Sequence, residues 1–173
     1  MTIHTPFKTL NFDIVMLQEN HSDSGREKVW AAEWGGKAYF SSGDERSRGV
    51  AILFKRGLSV QVNKVEHDIQ GRYILIDCTI FDLDVTLGCV YGPNIDNVGT
   101  FEKMFSSLRE FKNNCTILGG NFNVWFNAEL DKLSYAHMVQ NNWRCKRLIS
   151  QYMADHDIVD IWRVLHPNAK QYT

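Results

Sequence analysis

Five short apolar runs, each closed by a polar or turn-forming residue, constrain this chain more than any other feature: Asp13–Leu17, Gly49–Phe54, Arg72–Cys78, Val85–Val90 and Thr116–Leu118. Apolar segments this short, bounded by turn signals, read as strands. Several are continuous rather than alternating. They therefore require cover on both faces, as in the inner strands of layered sheets flanked by helices. A further stretch, Lys37–Phe40, is expected to pair with the strand after it.

The cover has its own signature. Phe101, Met104, Phe105, Leu108 and Phe111 recur at three- and four-residue steps, with Glu102, Lys103, Arg109 and Glu110 facing away, which predicts an amphipathic helix. A second stripe runs through Cys145, Leu148, Ile149, Tyr152 and Met153, behind a basic start at Trp143–Arg147. No repeat, low-complexity tract or Ser/Gly/Pro linker interrupts these elements. With 173 residues, 44% of them hydrophobic, the chain has material for one ordinary core, and a single domain over 1–173 is expected.

Charge excludes one class of behaviour. Lys plus Arg number 19 against 20 Asp plus Glu, so no global field draws the chain onto a polyanion and any nucleic-acid site must be local. Cys78, Cys89, Cys115 and Cys145 form no C-x-x-C pair, and reduced, mostly buried thiols are expected. No run approaches the roughly 20 apolar residues of a membrane span, and the N-terminus lacks a signal-peptide core. No membrane partner is therefore expected, and the location is read as intracellular, nuclear or cytoplasmic.

Three strand ends carry the chemistry. Leu17-Gln-Glu-Asn-His21 ends a buried run in a carboxylate just where the chain leaves the sheet, the usual place for site residues in layered α/β proteins. Glu19 there is either a surface carboxylate or a ligand for a hard cation. Leu118-Gly-Gly-Asn-Phe-Asn123 joins a strand to two glycines, which are expected to let the backbone approach a ligand closely, and then to two amides. Asn121 and Asn123 are either turn formers or site groups. Cys89-Val-Tyr-Gly-Pro-Asn94 sets Tyr91 before a tight turn, as a plain strand aromatic or a third arm of one rim. Arg144, Lys146 and Arg147, with Lys132 before them, read as the wet face of a helix or as a track for a DNA backbone.

Taken in order with Arg48-Gly-Val-Ala-Ile52, Gly71-Arg-Tyr-Ile74 and Asp160–Pro167, these segments resemble the endonuclease/exonuclease/phosphatase superfamily, and most nearly the endonuclease domains of LINE-type retrotransposons. The resemblance spans about Asp13 to Thr173. It implies an α/β fold, a two-layered β-sandwich flanked by helices in four α/β/β/α layers. It also implies a phosphodiesterase acting on DNA, with Mg²⁺ or Mn²⁺ on Glu19, Tyr91 against the scissile phosphate, and Asn121 and Asn123 at the water-orienting and adjacent positions. Asn94 would touch substrate, His21 reads either as a phosphate contact or as a solvated, structural group, and a parental protein would include a reverse transcriptase.

Departures from the family motif set further expectations. Asn121 stands where the family has aspartate, and an amide of nearly carboxylate shape cannot take a proton at neutral pH. Met1–Phe12 holds no match to the family's N-x-N-G turn, and the chain stops before the terminal S-D-H motif. The fold is therefore expected to be incomplete at its N- and C-terminal strands, with exposed sheet edges that invite self-association. Weak or absent hydrolysis is expected too. A non-catalytic nucleic-acid-binding remnant, or a phosphoesterase for another substrate, remains an alternative.

Overall fold

The computed structural model describes residues 11–43, 48–111, 113, 115–131 and 142–170. The elements in chain order are β1 (Ile14–Gln18), α1 (Ser24–Trp34), β2 (Ala38–Ser41), β3 (Val50–Phe54), β4 (Val60–His67), β5 (Tyr73–Ile80), β6 (Leu83–Tyr91), α2 (Gly99–Leu108), β7 (Cys115–Asn121), α3 (Ala128–Asp131), α4 (Trp143–Asp155) and α5 (Ile161–Leu165). The chain divides into two compact units, one of Met1–Tyr91 with Ser107–Asn121 and one of Gly92–Ser106 with Phe122–Thr173.

The first unit holds both sheets. One has the order β1-β3-β2, with β3 antiparallel to both neighbours, so the expected pairing of the stretch after Lys37 with the next strand is present. The other has the order β4-β5-β6-β7, antiparallel except for the parallel β6–β7 pair.

Alternation along β3 explains its unbroken apolar run. Val50, Ile52 and Phe54 pack with Ile74, Ile76 and Cys78 of β5 and Val85, Leu87 and Cys89 of β6, making the interior of a sandwich. Ala51 and Leu53 turn the other way and meet Val15, Leu17, Trp34, Ala38 and Phe40. Trp34, the last residue of α1, donates its ring N–H to the carbonyl of Phe54 at 2.6 Å. Helix α1 is thus anchored to the outer face of the first sheet.

Gly119 and Gly120 take part in packing, a role beyond the close backbone approach expected from the sequence. A Cβ on Gly119 would lie 2.7 Å from Met16 Sδ, and one on Gly120, at φ +134°, would lie 2.0 Å from the carbonyl oxygen of Val90. Gly120, with positive φ against the Val90 backbone, is the position that must lack a side chain for β7 to sit against β6, whereas at Gly119 the flexible Met16 side chain would have to shift.

In the second unit α2 and α4 meet through the Phe105 and Tyr152 rings, stacked 3.8 Å apart. Cys145 and Ile149 are buried on the predicted stripe of α4. Arg163 of α5 bonds Asp131 of α3. Among the described residues no helix is long and apolar enough to cross a membrane. Three of the four cysteines are buried, and all are free thiols.

Candidate active site

At one end of the first unit, backbone hydrogen bonds link five strand ends in sequence. β1 ends at Gln18, and the Asn20 and His21 N–H groups of the following loop donate to the carbonyls of Gly49 and Arg48, at 3.2 and 3.0 Å. Gly49 N–H donates in turn to the carbonyl of Gly71 at 3.1 Å, and Tyr91 N–H donates to the carbonyl of Arg72 at 2.7 Å. Tyr91 then stands opposite Asn121 in the parallel β6–β7 register. Glu19, His21, Arg48, Arg72, Tyr91 and Asn121 therefore share one stitched rim.

Side chains brace the rim from below. Gln18 Nε2 donates to Cys89 Sγ at 3.4 Å, and Cys89 Sγ lies 3.3 Å from the carbonyl of Leu17, tying β1 to β6 just beneath Glu19 and Tyr91. Burial pushes the Cys89 thiol up to about 11, so it stays protonated and acts as a neutral spacer. Asn20 Oδ1 accepts from Ser22 N–H and Ser22 Oγ, the latter also lying 2.7 Å from Ser42 Oγ. Ser42 Oγ bonds Glu27 of α1, so the loop bearing Glu19 is held from its helix side as well.

The backbone here is unusual. Glu19, His21 and Arg48 all have positive φ, at +53°, +49° and +70°. Non-glycine residues hold such a conformation only where their surroundings over-determine it. Glu19 and His21 nevertheless present exposed side chains. The carbon centre of the Arg72 guanidinium lies 5.1 Å from the centroid of the Tyr91 ring, a cation–π distance. Burial first, then the nearby Arg48 cation, lower the pKa of Arg72 from its ordinary value, while Tyr91 and Asp68 act the other way. Arg48 and Arg72 lie in two of the segments that carry the family resemblance, but neither was given a role of its own. Outside those ordered segments, an arginine just before a strand carries no pattern of its own that marks it as part of a site.

The other expected site residues belong to the second unit. Asn123, at φ +53°, donates from Nδ2 to the carbonyl of Gly92 at 2.7 Å and to Asn94 Oδ1 at 2.9 Å. Asn142, only 2% exposed, donates to the carbonyls of Pro93 and Asn123 at 2.9 and 3.0 Å. Two amides thus clamp the Gly92–Asn94 turn, and Asn142 had no sequence signal. The turn also leads to Asp96, whose carboxylate accepts the N–H groups of Arg144 and Cys145, at 3.0 Å each, and caps α4.

The basic run of α4 is divided. Lys146 Nζ donates to the carbonyl of Phe126 at 2.9 Å and lies 5.3 Å from the Trp125 ring centroid, while Arg144 and Arg147 are exposed. Lys132 lies outside the described residues.

Magnesium sites of phosphate enzymes use one or two carboxylates and complete the shell with phosphate and water. Among the described residues no group of three or more His, Cys, Asp or Glu side chains is placed to hold a metal ion. Glu19, exposed at the rim, fits an ion held by one carboxylate with phosphate and water completing the shell, and not a closed protein cage.

Superposition on solved structures settles the fold. The chain aligns with AP endonuclease LMAP from Leishmania major at a TM-score of 0.70 and 16% identity, over 95% of this chain and 63% of that one. The fold is the DNase-like α/β sandwich. An AP endonuclease from Archaeoglobus fulgidus gives a TM-score of 0.70 at 20% identity, over 96% of this chain and 69% of that one. The 3′ phosphatase NExo from Neisseria, solved bound to a product DNA hairpin, gives 0.58 at 22% identity, over 91% and 65%. This DNase-like chain thus spans less than two thirds of the Leishmania enzyme's length. No family model matches its sequence.

Proposed function

We propose that this chain is a DNA-directed phosphodiesterase domain of LINE-type lineage that retains a phosphate-facing rim but hydrolyses DNA weakly or not at all. The observation that carries the reading is the pairing of Tyr91 with Asn121 at one end of β6 and β7, with the Arg72 guanidinium over the Tyr91 ring. A phenol and a cation at one place suit the non-bridging oxygens of a phosphodiester, one as hydrogen-bond donor and the other as charge. The neighbouring NExo structure contains DNA, and two other neighbours are named for AP-endonuclease activity. The ordered motifs from Gln18-Glu19 to Asp160–Pro167 support the LINE lineage.

Asn121 decides the expected rate. Its amide can hold a water through hydrogen bonds but cannot accept the proton that water must lose on attacking phosphorus. General-base help of this kind is worth roughly 10²–10⁴-fold. Binding without efficient turnover is the consequence, with His21, Arg72 and Tyr91 orienting the backbone and Glu19 available to a divalent cation.

A nicking assay on supercoiled plasmid, with and without Mg²⁺, paired with fluorescence anisotropy on a duplex oligonucleotide, tests the proposal. The expected result is salt-dependent binding with nicking near background. Mg²⁺-dependent turnover near that of a complete DNase-like endonuclease would refute the impairment. Absence of salt-dependent binding would refute the DNA reading itself.

A further inference from the structure

Arg48 holds a left-handed backbone conformation, at φ +70°, that residues with side chains seldom adopt. A left-handed conformation at an arginine is disfavoured by roughly 1–2 kcal/mol relative to right-handed geometry. It is nevertheless fixed from both sides: the Arg48 carbonyl accepts His21 N–H at 3.0 Å, and the next residue, Gly49, donates to Gly71 at 3.1 Å. These bonds set the Arg48 loop beside the Gly71–Arg72 loop. Arg48 Nη1 reaches the carbonyl of Gln70 at only 3.4 Å, a long bond for a guanidinium.

Two guanidiniums consequently stand on adjoining loop ends, one of them resting on Tyr91. Their mutual effect is repulsive, as the influence of Arg48 on Arg72 shows, and Asp68 is the described carboxylate that counters it at Arg72. A polyanion reverses the sign of that arrangement, because both cations then face phosphate. Arginine suits the role through its planar donor fork, which matches phosphate oxygens and loses little freedom on binding. With a formal net charge of −1, the chain depends on such local cations to attract a nucleic acid.

We propose that Arg48 is a phosphate-gripping residue, holding the sugar–phosphate backbone of a nucleic acid at a second point beside the Arg72–Tyr91 pair. This rests on the DNA-binding reading above and adds to it a residue that sets backbone affinity rather than chemistry.

Binding of a fluorescein-labelled duplex by the full chain, followed from 50 to 300 mM salt, tests it through three proteins: the wild type, Arg48→Gly and Arg48→Lys. Glycine accepts φ +70° without strain, so Arg48→Gly removes the guanidinium and leaves the loop geometry in place. The expected loss at low salt is roughly tenfold in affinity, the same for unrelated sequences, as for one charged hydrogen bond removed. The slope of log affinity against log salt should become shallower by about 0.9, the value for one phosphate contact. Arg48→Lys keeps the charge, so it should hold the slope near wild type while losing part of the affinity. An unchanged slope and affinity in Arg48→Gly overturns the assignment while leaving the DNA reading intact. A wild type without salt-dependent binding overturns the reading beneath it.

Discussion

Gly49 and Gly35 show how much the surroundings of one residue decide. Both have positive φ, +93° and +74°. A Cβ at Gly49 would sit 2.1 Å from Asn20 Oδ1, whereas one at Gly35 meets nothing within 4 Å. Gly35→Ala is expected to cost about 1 kcal/mol from backbone conformation alone, and Gly49→Ala roughly 2–4 kcal/mol because it must also displace Asn20. Urea denaturation of the two variants measures the difference. Equal losses would mean that the Asn20 loop yields freely, and with it the fixed placement of Glu19. Asn123 makes a related case, since its Nδ2 bonds both the carbonyl of Gly92 and Asn94 Oδ1. Asn123→Ala should destabilise by roughly 1–2 kcal/mol in the same experiment, through the clamp it removes from the turn. Glu19, Tyr91 and Asn121 were legible as site candidates because each closes an apolar run. Arg48, Arg72 and Asn142 were not, because their places arise from hydrogen bonds between segments distant in the chain.

Elements were legible in proportion to how evenly they are buried. β3, β5 and β6 carry unbroken apolar stretches because their neighbours cover both faces, and each was visible as a run. β4 was not, although Val60 and Val62 begin an alternation. A register shift between Val62 and Lys64 breaks the period, and as a sheet-edge strand it is exposed along much of its length. Helix α1 escaped for another reason: Val29 is 55% exposed among its apolar residues, so no stripe forms, and its ends rather than its face define it. Asp23 accepts the N–H groups of Gly25 and Arg26, and Gly35 closes the other end by donating to Ala31. The cap of α4 yields a pH prediction. Desolvation, the largest single influence, raises the pKa of Asp96, but the N–H groups of Cys145 and Arg144, with the Cys145 thiol and the Arg144 charge, together outweigh it and hold the carboxyl below its ordinary 3.8. A depressed folded pKa adds stability above the unfolded value, and that stability fades as pH falls through the folded one. Thermal melts of wild type and Asp96→Ala should therefore differ at pH 7 and draw together as pH falls below the ordinary 3.8. A constant difference would mean that Asp96 acts by packing, with its charge irrelevant.

Across the whole molecule, alkaline behaviour follows from thiols that the fold keeps neutral. Burial lifts Cys78 to about 11 and Cys89 to about 11, and burial with the neighbouring Asp96 carboxylate lifts Cys145 to about 12. Burial also raises the phenols Tyr39 and Tyr73 above their ordinary 10.0. All five groups bind protons more tightly folded than unfolded, so stability is fully present below the unfolded thiol value of 9.0 and declines as pH climbs toward the folded values. Urea midpoints should hold between pH 7 and about 8.5, then fall steadily toward pH 11. Cys89→Ala separates the thiol from the phenols, because it removes one proton-linked group without adding another. Its midpoint starts lower through the lost contacts of Gln18 and Leu17, but it should then decline less steeply than wild type. If the two curves fall in parallel, the Cys89 thiol is not held neutral by the fold, and the brace beneath Glu19 and Tyr91 loses its physical basis.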